Sequence, residues 1–154
     1  MNSKLASDAL FALHAKGFET ANGFCARFCR QICECSYGDA RWNAQWRPDA
    51  TPTAKEAALA FAKSGYHVVG TPQIGDVLFK TVGSGGAGHV GILTALGVAE
   101  NSSFHWNRTG HKDARGLRSL AEFGAYQVII RLPIWQPVRL EQIAVAHAKG
   151  KGMI

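Results

Sequence analysis

The chain changes its pattern once, near residue 70, and that change decides the kind of fold it can form. Before it, apolar residues recur at three- and four-residue spacing, as they do along helices. After it, they come in short runs closed by turn residues. Val77-Leu78-Phe79 follows Gly75-Asp76, and His89-Val90-Gly91-Ile92-Leu93 follows a glycine-rich stretch from Gly83 to Gly88. Val98-Ala99-Glu100-Asn101 follows Leu96-Gly97, and Tyr126 to Leu132 forms the last run. Connections this tight join antiparallel neighbours. Helices first and strands afterwards predict an α+β fold, with N-terminal helices packed on one face of an antiparallel sheet of at least four strands.

Within the helical part, residues 3–16 read as a first helix, with Leu5, Leu10 and Leu13 on one side and Gly17 as its stop. A second helix begins near Phe24 and reaches about Cys35. Phe24, Phe28 and Ile32 recur every four residues on one face, Cys25 and Cys29 widen it, and Arg27, Arg30 and Gln31 supply the polar side. Thr20 or Asn22 is placed to cap its start. Residues 36–53 read as a loop holding Gly38, Pro48 and Pro52, in which Trp42 and Trp46 at helical spacing predict a short turn of helix. Thr53-Ala54-Lys55-Glu56 is a capping box that opens a helix running to Ser64 and stopped by Gly65. Residues 1–136 are expected to form a single domain, and 137–154 a basic C-terminal tail.

The bulk properties exclude some functions and leave others. A net charge of +6, from 17 Lys and Arg against 11 Asp and Glu, favours an anionic partner without choosing one. No stretch approaches the roughly 20 apolar residues of a membrane span. Lys4, Asp8, His14 and Lys16 break up any apolar core in the first residues, so synthesis in the cytoplasm without a secretory signal is expected. All four cysteines lie between positions 25 and 35. A segment that short offers bridges no long loop to close. Gaps of three, three and one residues suit neither structural zinc nor a radical-type iron–sulfur loop. One cysteine is therefore read as chemical and the others as packing, with no metal and no cofactor. The run from Lys80 to Gly88 has no Gly-Lys-Ser/Thr and precedes a strand, which speaks against a phosphate-cradling loop.

Cys25 is the candidate nucleophile, because a thiol in the first turn of a helix lies at the positive end of the helix dipole. That field is expected to lower its pKa. A cysteine nucleophile needs a base, and the base needs a third group to fix its ring. Of the six histidines, His89 fits best, since it opens an apolar strand directly after a glycine run. Glu100, or failing it Asn101, ends the next strand and can stand beside it. Only one of the two can face His89, because successive strand residues point to opposite faces. Trp42, Trp46 and Trp106 are candidates for the walls of a substrate groove, and His105 for a substrate contact.

Four segments in order now resemble a known family. Phe24-Cys25-Ala26-Arg27-Phe28-Cys29, Ile74-Gly75-Asp76-Val77-Leu78-Phe79, Gly88-His89-Val90-Gly91-Ile92 and Ala99-Glu100-Asn101-Ser102-Ser103 look like the motif set of papain-like bacterial and phage cell-wall hydrolases. These are the NlpC-type peptidases and the related CHAP (cysteine, histidine-dependent amidohydrolase/peptidase) domains, and the likeness covers about residues 20–132. It implies a papain-like fold and a Cys25 nucleophile, with His89 as base and a polar third residue at Glu100. The substrate it implies is an amide bond of the peptidoglycan stem peptide. Where NlpC-type domains usually read Asp-Cys-Ser-Gly, this chain has Phe24-Cys25-Ala26-Arg27, and no tyrosine just before the helix presents itself for the oxyanion. Gly75 and Asp76 are read as turn and structural residues.

An enzyme of this kind needs an escort to reach the wall: a phage lysis pore, or a secretion machine delivering it as a toxin with an immunity protein as partner. A monomer acting on peptidoglycan, without nucleic acid or membrane insertion, is expected. The competing class is a non-catalytic basic module that binds metal or nucleic acid through the cysteine cluster and Arg27, Arg30 and Arg41. An intracellular papain-like amidase is a third reading.

Overall fold

The computed structural model describes residues 25–27, 29, 30, 33, 41–49, 53–95, 98–102 and 115–133. The expected helix over 3–16, the Leu96-Gly97 turn, His105, Trp106 and the tail 137–154 lie outside the described residues. Cys25, Ala26, Arg27, Cys29, Arg30 and Cys33 are helical. Two helices follow, α1 (Asn43–Trp46) and α2 (Ala54–Lys63). Then come β1 (His67–Val68), β2 (Val77–Lys80), β3 (His89–Ala95), β4 (Val98–Ser102), β5 (Arg115–Ser119), α3 (Leu120–Phe123) and β6 (Val128–Ile130). The architecture is α+β. The six described strands form one sheet in the order β1-β6-β2-β3-β4-β5, and every pairing in it is antiparallel.

Helix α2 starts as its sequence dictates. The Thr53 hydroxyl accepts from the Glu56 N–H at 3.2 Å, and the Glu56 carboxylate accepts from the Thr53 N–H at 2.8 Å. Each side chain thus satisfies a backbone donor that the first turn leaves without a partner. The Thr53 N–H holds the Glu56 carboxyl below its ordinary value, with the Thr53 hydroxyl and Asp49 helping. A carboxylate with a depressed folded pKa gives stability that is present above its unfolded pKa and is lost as pH falls through the folded one. The box is therefore expected to loosen only in acid. Thr53→Ala should cost about 1 kcal/mol at neutral pH in a urea titration, and that difference should shrink in acid.

The sheet is buried on both faces. On the helix side Val77, Phe79, Val90, Ile92 and Ile130 meet Ala54, Ala57, Ala58 and Phe61 of α2, together with Cys29, Cys33, Trp42 and Trp46. On the other side Leu78, Leu93, Ala99 and Ile129 pack against Phe123 of α3. The consecutive Val77-Leu78-Phe79, all fully buried, is what a strand covered on both sides requires.

Trp42 and Trp46 form the expected helical turn, but they belong to the core and wall no groove. They are 4% and 2% exposed. The Trp46 ring stands edge-on to Phe61 at 5.1 Å and tilted against Phe79 at 5.8 Å, while Trp42 stands edge-on to Tyr66 at 6.2 Å. Aromatic rings four residues apart on one short turn are better placed to close an apolar core than to receive a substrate.

Candidate active site

The strand that His89 opens is the scaffold of the site. Its near partner is β2, in a register that sets Lys80 opposite His89 and Phe79 opposite Val90. The two strands are joined through the glycine stretch, which is itself tied to α2: the Lys55 N–H donates to the Ala87 carbonyl at 3.0 Å. Gly88, at φ +74°, leads straight into His89. A Cβ there would run into the Lys80 carbonyl oxygen and crowd the Lys55 nitrogen at 3.2 Å. The left-handed backbone and the close approach both demand glycine at this position. Gly88→Ala should lose about 1–3 kcal/mol from backbone strain alone, with the collision adding to it. Wild-type stability of that variant in urea would show that the approach to His89 is not constrained as described.

Cys25 sits at the edge of the helix-side core, partly exposed, beside the cluster that includes Val90. The N–H groups of Val90, Ala26 and Cys25 itself lie near enough to its thiol to favour the charged form. Burial is the larger influence and pushes the thiol above its ordinary value, while the three donors pull it back. The expected lowering by the helix dipole is thus outweighed, because withdrawing the sulfur from water disfavours its charged form. At rest this group is a neutral thiol, and a base must take its proton when it reacts.

His89 is half-buried. His89 and Val90 leave β3 on opposite faces, as successive strand residues must. Val90 joins the helix-side core, while the His89 ring meets Phe123 on the other side at 5.8 Å between centroids. Lys80 shares that ring, its ammonium 4.4 Å from the Phe123 centroid and bonded to the Phe123 carbonyl. These contacts set the imidazole on the face of β3 away from the cluster on which Cys25 packs, so the expected meeting of sulfur and imidazole is not what they bring about.

The third residue stands farther along. The β3–β4 register sets Glu100 opposite Ile92, three residues from His89, and Asn101 pairs with Gly116 on β5. Neither is the direct cross-strand neighbour of His89. The contact of Phe123 with the His89 ring cannot be read in the sequence, because Phe123 lies on a four-residue helix with no periodicity to show its buried face. Among the described residues no group of three His, Cys, Asp or Glu side chains is placed to hold a metal ion. No family model, no curated protein and no solved structure matches the chain.

Proposed function

We propose that this protein is a papain-like peptidoglycan hydrolase that cleaves an amide bond of the stem peptide through Cys25 and His89. The observation that carries the reading is a partly exposed Cys25 on a helix packed against the core to which Val90, the residue after His89, belongs; for proton transfer the imidazole must come round from the Phe123 face. The Cys25 thiol attacks the carbonyl carbon as His89 takes its proton. A C–S bond forms, and the carbonyl π pair moves to oxygen, where first-turn N–H groups of the cysteine helix stabilise it. The pair returns, the C–N bond breaks, and His89 protonates the leaving amine. Water, deprotonated by His89, then hydrolyses the thioester and restores the thiol. The third residue of the scheme is Glu100, or Asn101 in its place, on the sequence pattern alone.

No cofactor enters this scheme. The net charge of +6 suits a polyanionic wall. Delivery is by a phage lysis system or by a secretion machine, the second bringing an immunity protein as partner. The test is incubation of purified cell wall with the protein, reading released fragments by mass. Muropeptides are expected, and their masses name the bond cut. No release, together with about one tightly held zinc per chain, would transfer the assignment to a metal-binding module.

A further inference from the structure

We infer that Lys80 is a positioning residue of this site: its ammonium, set across the strand pair from His89 and over the same aromatic ring, keeps the imidazole uncharged and able to accept a proton. The inference rests on the reading of His89 as base and adds a residue to it.

Two observations place the pair. Lys80 stands directly opposite His89 in the β2–β3 register, and residues so opposed send their side chains to the same face of a sheet. Both side chains then meet Phe123. The Lys80 ammonium lies 4.4 Å from the centroid of that ring, and the imidazole lies 5.8 Å from it. Distances to one shared point cap the separation of the two groups at about 10 Å, the reach of a charge in ordinary salt. Lys80 is also held there, because its Nζ donates to the Phe123 carbonyl. Phe123 is fixed in turn, buried among Leu78, Leu93, Ala99 and Ile129 on a helix that Ser119 caps. Leaving the imidazole would cost the ammonium both its carbonyl and its ring.

A nearby like charge disfavours the charged form of a titrating group. The face of Phe123 alone would favour an imidazolium, since aromatic faces draw cations, but Lys80 already lies over it. Among the described residues the other titratable groups around His89 do not offset the ammonium. Glu122 of α3 is exposed, so water screens its carboxylate. Tyr126, packed against the Phe123 cluster, contributes a neutral hydroxyl. Strand β4 sets Glu100 opposite Ile92, a helix-side position. Lys55, exposed on α2, belongs to the helix side as well and is itself a cation. A neutral imidazole suits the thiol it serves. Burial holds Cys25 protonated at rest, so its proton must pass to a base with room for one. Lys80 acts through His89 and has no bond of its own to make or break.

The ring-proton NMR signal of His89, identified by its absence from His89→Gln, reads the imidazole directly across a pH series. Lys80→Met removes the charge and keeps most of the stem. It is expected to raise the His89 midpoint by about half to one pH unit. Lys80→Gln, which keeps a donor for the Phe123 carbonyl, should raise it as much, and Lys80→Arg should leave it in place. The gap between wild type and Lys80→Met should narrow in about 1 M salt, as a charge effect does and a packing effect does not. On cell wall the acid limb of the kcat/KM profile should move up by the same amount. An unshifted midpoint in the two folded neutral variants overturns the inference, and so does a shift in Lys80→Arg as large as in Lys80→Met. A raised midpoint in a protein that releases nothing from cell wall upholds the pairing and removes the peptidoglycan assignment alone.

Discussion

Cys25→Ala is expected to release no fragments from purified cell wall, with a fall in kcat of at least about a thousandfold, while its circular dichroism stays that of the wild type. The substitution trims one sulfur at the edge of the core, so folding gives it no reason to fail. His89→Ala should lose activity to a similar extent, because a neutral thiol without a base is a poor nucleophile. The double variant should be little worse than either single one, since groups that act as a unit do not add. Retention of full activity by Cys25→Ala would falsify the nucleophile assignment. Two large losses that multiply would show that the two side chains act separately.

The second large effect concerns stability. Asp76 is 1% exposed, the one buried charged residue among those described, and Arg131 grips it in a fork. The bonds run from Nε to Oδ1 at 2.8 Å and from the second guanidinium nitrogen to Oδ2 at 2.7 Å. The Gln73 N–H adds a third donor to Oδ2 at 2.8 Å. Hydrogen bonding to Asp76 holds the Arg131 guanidinium above its ordinary value. It ties the entry of β2 to the exit of β6, and the Arg131 N–H reaches the Tyr66 carbonyl at 3.0 Å ahead of β1. Breaking a buried pair from one side costs about 3–5 kcal/mol. Arg131 is 35% exposed, and water can take up part of its charge. Asp76→Ala should therefore cost about 2–4 kcal/mol, read as a lower urea midpoint at unchanged slope. A loss under about 0.5 kcal/mol, the size of an ordinary surface substitution, would mean that the fork contributes nothing beyond a surface contact.

The extent to which the chain shows its fold in advance can be judged residue by residue. The capping box at Thr53 and Glu56 and the runs at Val77, His89, Val98 and Val128 are local signals, and each produces its element. Strand β5 is hidden because Arg115-Gly116-Leu117-Arg118-Ser119 neither alternates nor runs apolar, and its pairing with β4 makes it a strand. Helix α3 did carry a sign, since Ser119 caps the Glu122 N–H at 3.1 Å, but four residues are too few to show a period. The fate of Trp42 and Trp46 was not legible, because spacing gives a face and leaves open what covers it. The Cys25 thiol was misjudged for a related reason: a dipole can be read from position in a helix, whereas burial depends on strands 50 and more residues away.

The bond from the Lys55 amide to the Ala87 carbonyl has a consequence for how the placement of His89 is lost. It couples the opening turn of a helix to the peptide two residues ahead of the histidine. Fraying at that helix end therefore cannot stay local. It releases the start of the strand and, with it, the placement of the imidazole. If the proposed function holds, inactivation by heat or acid is expected to begin at a distance from the sulfur, in a turn whose own residues have no part in the proposed chemistry.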